Sequence, residues 1–396
     1  MAKLLSFMIT PGGLTGAPRR LLTLAAALRA RNVDVCIGAP KTSELLKAAH
    51  DEGNATENVE PAGILRLRQG ALFGGGWIFR LRMLLDLIRQ NFRAWRCILR
   101  TDADVVWIRG SKGIAFGALG TVLARRPLIW DVDYEPPSSG LVRWLHRLGL
   151  RAADKVVFQY AAAPDAIFGT ELARFYRAKF KAIIPGIDLA SLERFFEQRR
   201  GGATLPDDPF VILQVGTICS RKNQSLILEA LRSFATEESG RAWELWLAYD
   251  EILEPKFRQQ LRDHGLEKNV KLLGWRDDVK ELMTQSSVLV MPSKDEGVPN
   301  AVQEAMAIGV PVLVSQAGGM PEIVSDGETG WVIDIEQPAQ WAERLLWCRT
   351  NRESCEAVGR NAAAYAFQNF GTGNWGVEYA RVVEQLVERR ATRISY

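Results

Sequence analysis

The chain has 396 residues, 47% hydrophobic and 24% charged, with 34 Gly and 17 Pro spread along it. That is room for two domains and the composition of a globular protein, which excludes disordered, collagen-like and coiled-coil chains. The net charge of +4 is unevenly placed. Twelve Arg or Lys stand against three Asp between Pro61 and Trp130, a local +9 that leaves −5 for the rest. Such an excess points to an anionic partner: phospholipid, nucleic acid or a phosphorylated substrate. Five cysteines form no CxxC pair, and His50, His146 and His264 are scattered. A disulfide scaffold and a metal site are therefore not expected, which fits a reducing compartment. The longest charge-free run, Ala305 to Pro321, is broken by Gly309, Pro311, Gly318 and Gly319, so it does not span a membrane. The opening MAKLLSFMIT lacks the features of a signal peptide. A cytoplasmic location is expected.

In chain order, short β-branched runs alternate with helical patterns, as in parallel sheets wrapped by helices. Strands are expected at 3–9, 33–38, 104–109, 127–133, 155–159 and 181–184, then at 210–216, 244–248, 270–273, 287–291, 311–315 and 331–335. Between the sets lies Arg199-Arg-Gly-Gly-Ala-Thr-Leu-Pro-Asp-Asp-Pro209, polar and rich in Gly and Pro. This predicts an α/β chain of two Rossmann-like domains, 1–195 and 210–369, joined by a linker at 196–209. Open αβ sheets of this kind bind ligands in a cleft at the strand ends.

Within the basic stretch, Leu81, Leu84, Leu85, Ile88, Phe92, Trp95 and Leu99 recur at three- and four-residue steps. Arg82, Arg89, Arg93, Arg96 and Arg100 recur beside them. An amphipathic helix with a basic flank suits an anionic membrane surface. It equally suits an ordinary domain helix that packs its apolar face on the sheet. The charge excess favours the membrane.

Two turns in the second half carry chemistry. Gln214-Val-Gly-Thr-Ile-Cys-Ser-Arg-Lys-Asn-Gln224 follows the first strand there, and its adjacent cations Arg221 and Lys222 suit a diphosphate. In Pro292-Ser-Lys-Asp-Glu-Gly-Val-Pro-Asn-Ala-Val-Gln-Glu304 a helix is expected to start near Asn300. Its N-terminus offers unpaired N–H groups to a phosphate. Glu296 before the turn and Glu304 about one turn into the helix are natural acceptors for sugar hydroxyls. The bland alternatives are a carboxylate complementing the helix dipole, a solvated glutamate and a solvated basic turn.

With these residues the chain resembles the retaining glycosyltransferases of family 4, which have the GT-B fold. The resemblance covers nearly the whole chain. Glu296 to Glu304 matches the family's Glu-x7-Glu element, and Gly216 with Arg221-Lys222-Asn223 matches its phosphate-binding turn. Gly318-Gly-Met-Pro-Glu322 and Asp326-Gly-Glu-Thr-Gly330 match its glycine-rich follow-on. Ile184-Pro-Gly-Ile-Asp188 resembles the close of the N-terminal domain, and Gly12-Gly13 its first glycine-rich loop. The segment 370–396 resembles the terminal helix that crosses back to the first domain.

The resemblance implies transfer of a sugar from a nucleotide diphosphate donor to a glycan or lipid-linked acceptor, with retention and without a metal or other cofactor. It implies no nucleic acid partner. Glu304 would hold the ribose, Glu296 the transferred sugar, and Arg221 and Lys222 the diphosphate, with Gly13 approaching through its backbone. Gly274-Trp275-Arg276 would face the base, and Val298, Pro299 and Asn300 would line the sugar-phosphate pocket. Many members place a histidine after the fourth strand. Here Asp133 stands at that position, or Asp131 if the register slips by two. An aspartate can accept a bond from a sugar hydroxyl but cannot donate as imidazolium does.

Asp131-Val-Asp133 also reads as a metal-binding DxD, though the Arg221-Lys222 pair makes a metal unnecessary for phosphate charge. Ser293 lies in no GxSxG context. Two rival functions remain open at this point: a non-catalytic nucleotide-binding subunit of a polysaccharide-assembly complex, and a sugar-nucleotide epimerase on a similar fold.

Overall fold

The computed structural model describes residues 2–8, 16–66, 77–132, 140–201, 209–237, 242–249 and 255–394. They divide into two compact units, Met1–Gly186 with Thr372–Tyr396, and Ile187–Gly371.

The first unit is built on seven parallel strands: β1 (Ala2–Phe7), β2 (Val33–Ala39), β3 (Ala55–Asn58), β4 (Val105–Arg109), β5 (Leu128–Asp131), β6 (Lys155–Phe158) and β7 (Phe180–Ala182). Their order is β3-β2-β1-β4-β5-β6-β7. Central strands such as Val-Val-Trp-Ile-Arg are buried on both faces, which is why they read as continuous apolar runs. Strand β3 escaped the sequence reading because Ala-Thr-Glu-Asn has neither alternation nor strong β-formers. It pairs only with β2, at the sheet edge, where burial imposes no pattern.

Helix Thr372–Ile394 packs on helix Gly16–Arg29 and on β1 and β4 of this unit. Trp375, Tyr379, Val383 and Leu386 lie along one helical face and are all buried. Gly376 permits the close crossing, since a Cβ there would sit 2.9 Å from the Ala27 methyl. The chain's end thus returns to the first domain, as the resemblance implied, from Thr372 rather than 370.

The second unit carries six parallel strands: β8 (Phe210–Val215), β9 (Trp243–Ala248), β10 (Val270–Gly274), β11 (Val288–Met291), β12 (Val312–Ser315) and β13 (Trp331–Ile333). Their order, β10-β9-β8-β11-β12-β13, is the doubly wound order with its switch between β8 and β11. The domain boundary falls earlier than expected. Residues 196–201 are not linker but the end of helix Ala190–Gly201, which packs on helices Val279–Gln285 and Asn300–Ile308. Arg199 explains this. Its buried guanidinium donates to the carbonyls of Ser286 at 2.8 Å, Thr284 at 3.2 Å and Gly309 at 3.2 Å. Helix C-termini leave such carbonyls without intrahelical partners, and a cation suits their dipole. Burial pulls the Arg199 pKa down to about 10, so it still carries its charge at neutral pH.

Helix Trp77–Thr101 does not bury the stripe that its periodicity defines. Gln90, Ala94, Cys97 and Ile98 face the domain, while Leu81, Leu84, Leu85, Ile88, Phe92 and Leu99 are exposed. The helix packs on its domain, but not through the stripe that the ordinary-helix alternative would bury. Sequence periodicity locates an apolar face but not the side from which a domain covers it.

Two buried acids and one half-buried acid make the first unit sensitive to alkali. Burial pushes the thiols of Cys36 and Cys97 up to about 12. Burial, then the Asp131 charge, pushes the Tyr379 phenol well above its ordinary value, and its hydroxyl donates to Asp131 at 3.1 Å. The folded chain therefore keeps protons that the unfolded chain releases, first near pH about 8.5 and then near about 10. Stability should be whole below that range and fall as pH rises through it. Melting temperature against pH checks this. Tyr379→Phe should flatten the loss above pH about 10 and leave the earlier part in place.

Candidate functional site

At the carboxyl ends of β8 and β11, three charged side chains meet. The Glu296 Oε1 accepts from Arg221 Nη1 and from Lys222 Nζ, both at 2.7 Å. The Glu296 and Lys222 side chains are only 8% and 13% exposed, whereas Arg221 is 33% exposed. Two cations on one carboxylate leave the cluster with an excess positive charge, and the more open cation faces outward. The sequence assigned Arg221 and Lys222 to one ligand group and Glu296 to another. The structure joins all three on one oxygen.

The local backbone explains how they meet. Gly216 follows β8 with a φ of +132°, and a Cβ there would lie 2.9 Å from the Lys222 Cε, so the lysine stem lies close over the glycine. The Gln214 amide donates to the Lys222 carbonyl at 3.3 Å, and the Lys294 N–H donates to the Arg221 carbonyl at 2.8 Å. These bonds tie the two turns together. The buried Ser293 hydroxyl donates to Glu296 Oε1 at 3.4 Å. In the sequence Ser293 lies in no nucleophile motif, so its bond to the carboxylate emerges from the structure. Its nearness to Glu296 in the chain was the available signal.

Helix Asn300–Ile308 begins four residues after Glu296, with Pro299 at its N-cap. Val298 and Pro299 are buried, and Asn300 and Glu304 are half-exposed one turn apart. That helix start and Glu304 therefore share an accessible face beside the cluster. On the other side Gly319 donates to the carbonyls of Glu296 at 3.3 Å and Gly297 at 3.0 Å. The glycine-rich follow-on is thus a backbone clamp on the Glu296 turn. Gly274 ends β10 with a φ of +66°, and its carbonyl accepts from Tyr249 N–H at 2.9 Å. Trp275 is 63% exposed, and Arg276 is held in a two-bond pair with Asp278.

In the first unit Asp131 ends β5, buried and bonded to Tyr379. Arg20 donates to Gln159 at 3.1 Å and, with Arg109, lines the same small hollow. This polar group at the strand ends was not anticipated, because its members are far apart in sequence. Asp133 and Gly13 lie outside the described residues. Among the membrane-surface arginines, Arg100 is paired with Glu57 at 2.5 Å and Arg93 donates to the Glu60 carbonyl at 2.8 Å. Arg82 and Arg96 have no ion-pair partner among the described residues.

Two Rossmann-like domains on parallel sheets match the GT-B glycosyltransferase fold of solved structures. Within it, residues 15–168 match the model of a glycosyl transferase 4-like domain, and residues 195–365 match that of glycosyl transferases group 1. The D-inositol 3-phosphate glycosyltransferase of Streptomyces scabiei (strain 87.22) is 29% identical over 401 residues, covering 92% of this chain and 84% of that one. The protein of the same name from Streptomyces coelicolor is 29% identical over 257 residues, covering 61% of this chain and 55% of that one. Against the Streptomyces coelicolor and Corynebacterium kroppenstedtii relatives the chain spans about half of the relative's length, 55% and 47%. The crystal structure of Anabaena Alr3699/HepE in complex with UDP has a TM-score of 0.76 at 20% identity, covering 97% of this chain and all of that one.

Proposed function

We propose that the chain is a retaining glycosyltransferase that moves a sugar from a nucleotide diphosphate donor to an acceptor hydroxyl, in surface polysaccharide or glycolipid assembly. The observation that carries this reading is the Arg221–Glu296–Lys222 cluster beside the start of helix Asn300–Ile308, in a chain with two glycosyltransferase domains. Alr3699/HepE has been solved with UDP and with UDP-glucose, and other curated relatives are named for amylovoran and colanic acid biosynthesis. The first supports a nucleotide sugar as donor and the second a role in glycan assembly; a glycan or lipid-linked acceptor is part of the same proposal.

In this reading the bond from the anomeric carbon to the diphosphate breaks, and its electron pair leaves with the phosphate. Arg221 and Lys222 stabilise that charge, supplying what a metal ion otherwise would, and the helix start adds its dipole. The acceptor oxygen bonds to the anomeric carbon from the same face, and its proton passes to the departing phosphate. Glu304 holds the ribose and Trp275 offers a face to the base. Glu296 orients the sugar, and Asp133 accepts from one of its hydroxyls. Val298, Pro299 and Asn300 supply the wall, and Gly13 meets the diphosphate through its backbone.

The two glutamates test this, because the reading gives them different work. Ribose contact is the same in ground and transition states, so Glu304→Gln should raise KM and weaken nucleoside diphosphate binding while kcat holds. Glu296 matters most as the sugar ring gains positive character. Glu296→Gln should therefore lower kcat. It should leave nucleoside diphosphate affinity at or above the wild-type level, since it also removes a carboxylate that competes for Arg221 and Lys222. Steady-state kinetics and calorimetry on variants with matched melting temperatures separate the cases. Equal loss of nucleotide binding in both, with kcat intact, would leave the motif as a nucleotide grip only.

A further inference from the structure

Fourteen large hydrophobic side chains are well exposed among the described residues, and ten of them sit on helix Trp77–Thr101 and helix Leu119–Leu123. The exposure is therefore one patch rather than scatter, and contiguous apolar patches mark interaction surfaces. The two helices pack together closely. A Cβ at Gly120 would lie 2.5 Å from the Asn91 carbonyl oxygen, and the Asn91 side chain accepts from Gly120 N–H at 3.2 Å. Leu119, Val122 and Leu123, each more than half exposed, thus extend the stripe of the longer helix.

The longer helix is turned opposite to an ordinary surface helix, which buries its apolar stripe. At about 100° per residue, Leu81, Leu85, Ile88 and Phe92 share one line, and Arg82, Arg89, Arg93 and Arg96 run about a quarter-turn to one side. The inward face carries polar groups that bond to the domain: Gln90 Oε1 accepts from Ala62 N–H at 2.9 Å, and Asn91 donates to the Ala115 carbonyl at 2.8 Å. The helix's single acid, Asp86, is buried and bonded by Arg89 at 3.2 Å. The outward face therefore presents apolar side chains and cations without a carboxylate of its own.

We propose that this face docks on an anionic phospholipid leaflet, with the apolar stripe at the boundary of headgroups and acyl chains and the arginine row on the lipid phosphates. Charge complementarity selects this occupant. Arg82 and Arg96 have no ion-pair partner among the described residues, and Arg89 is 68% exposed. Six arginines in 25 residues suit a helix lying in the interface rather than crossing it. The docking stands on this surface alone and is independent of the donor-site assignment.

The experiment is sedimentation of the full chain with vesicles of phosphatidylcholine alone and with vesicles that also contain phosphatidylglycerol. The wild type should bind only the second kind, and less as salt rises. Arg82→Gln with Arg96→Gln should lower partitioning about 30-fold, from the usual contribution of a basic residue near such a surface. Leu84→Asp with Ile88→Asp should abolish it. All four side chains are exposed, so melting temperatures should not change. The arginine pair still tests the proposal if the aspartate pair does not fold. The proposal is overturned if the wild type binds neither vesicle, binds both alike, or is indifferent to the substitutions. It is overturned also if the wild type is a dimer that the aspartate pair splits while vesicles bind nothing, which would assign the face to a second copy.

Discussion

Lys222→Ala is expected to weaken nucleoside diphosphate binding about 10- to 100-fold and to leave nucleoside binding at its wild-type level. A hydrogen bond to a charged group contributes about 1.5–3 kcal/mol, and each 1.4 kcal/mol is a factor of about ten. Lys222 is the right cation for the upper part of that range. Its side chain is 13% exposed, lies over Gly216 and has its ammonium 2.7 Å from Glu296. Little water is available there to replace it. Arg221 is a third exposed, so screening by solvent should make Arg221→Ala the milder change. Calorimetry with UDP and uridine is the measurement, since UDP is the nucleotide bound in the Alr3699/HepE structure. If both ligands weaken equally, Lys222 supports the fold of the turn and not the diphosphate.

The second large effect lies at a glycine. Gly318 has a φ of +59°, and a Cβ built on it would stand 1.7 Å from the Glu296 carbonyl oxygen and 2.7 Å from its carbonyl carbon. Both are backbone atoms of the turn that aims the Glu296 carboxylate, so neither can swing aside as a side chain would. Gly318→Ala must then strain the backbone by about 1–3 kcal/mol for the left-handed conformation alone and displace the turn besides. We expect a melting temperature lower by about 5–10 °C for a domain of this size, with loss of nucleoside diphosphate binding in the fraction that folds. Gly265→Ala is the control. That glycine has a φ of +65° but nothing within 4 Å of the Cβ position, so it should show the conformational cost without the collision. Equal effects of the two substitutions would remove the clamp from the account of the site.

Twelve of the thirteen strands were legible, the central ones most clearly, because parallel strands covered on both faces must be apolar along their whole length, as Val-Leu-Val-Met in β11 is. The same reasoning missed β3, where an edge position leaves the pattern free. It also placed the domain boundary late. Polar and basic residues after Phe196 read as linker, yet Arg199 is among the most buried cations of the second unit, because helix-end carbonyls converge on it.

At the site, residue types and their spacing were enough to single out Arg221, Lys222, Glu296 and Glu304, since phosphate charge and sugar hydroxyls call for those groups at a strand-to-helix turn. That Arg221 and Lys222 close on one oxygen of Glu296, and that Gly318 and Gly319 clamp the backbone behind it, depends on strands β8, β11 and β12 lying side by side. No local pattern encodes that adjacency. The helix at 77–101 shows the same division. Its periodicity and its arginines are properties of the chain, fixed by 3.6 residues per turn. Which face meets water was decided only when Gln90 and Asn91 found partners at Ala62, Ala115 and Gly120. Those bonds, with Ala94, Cys97 and Ile98 packed in the core beside them, set the inward face and left the apolar stripe outward.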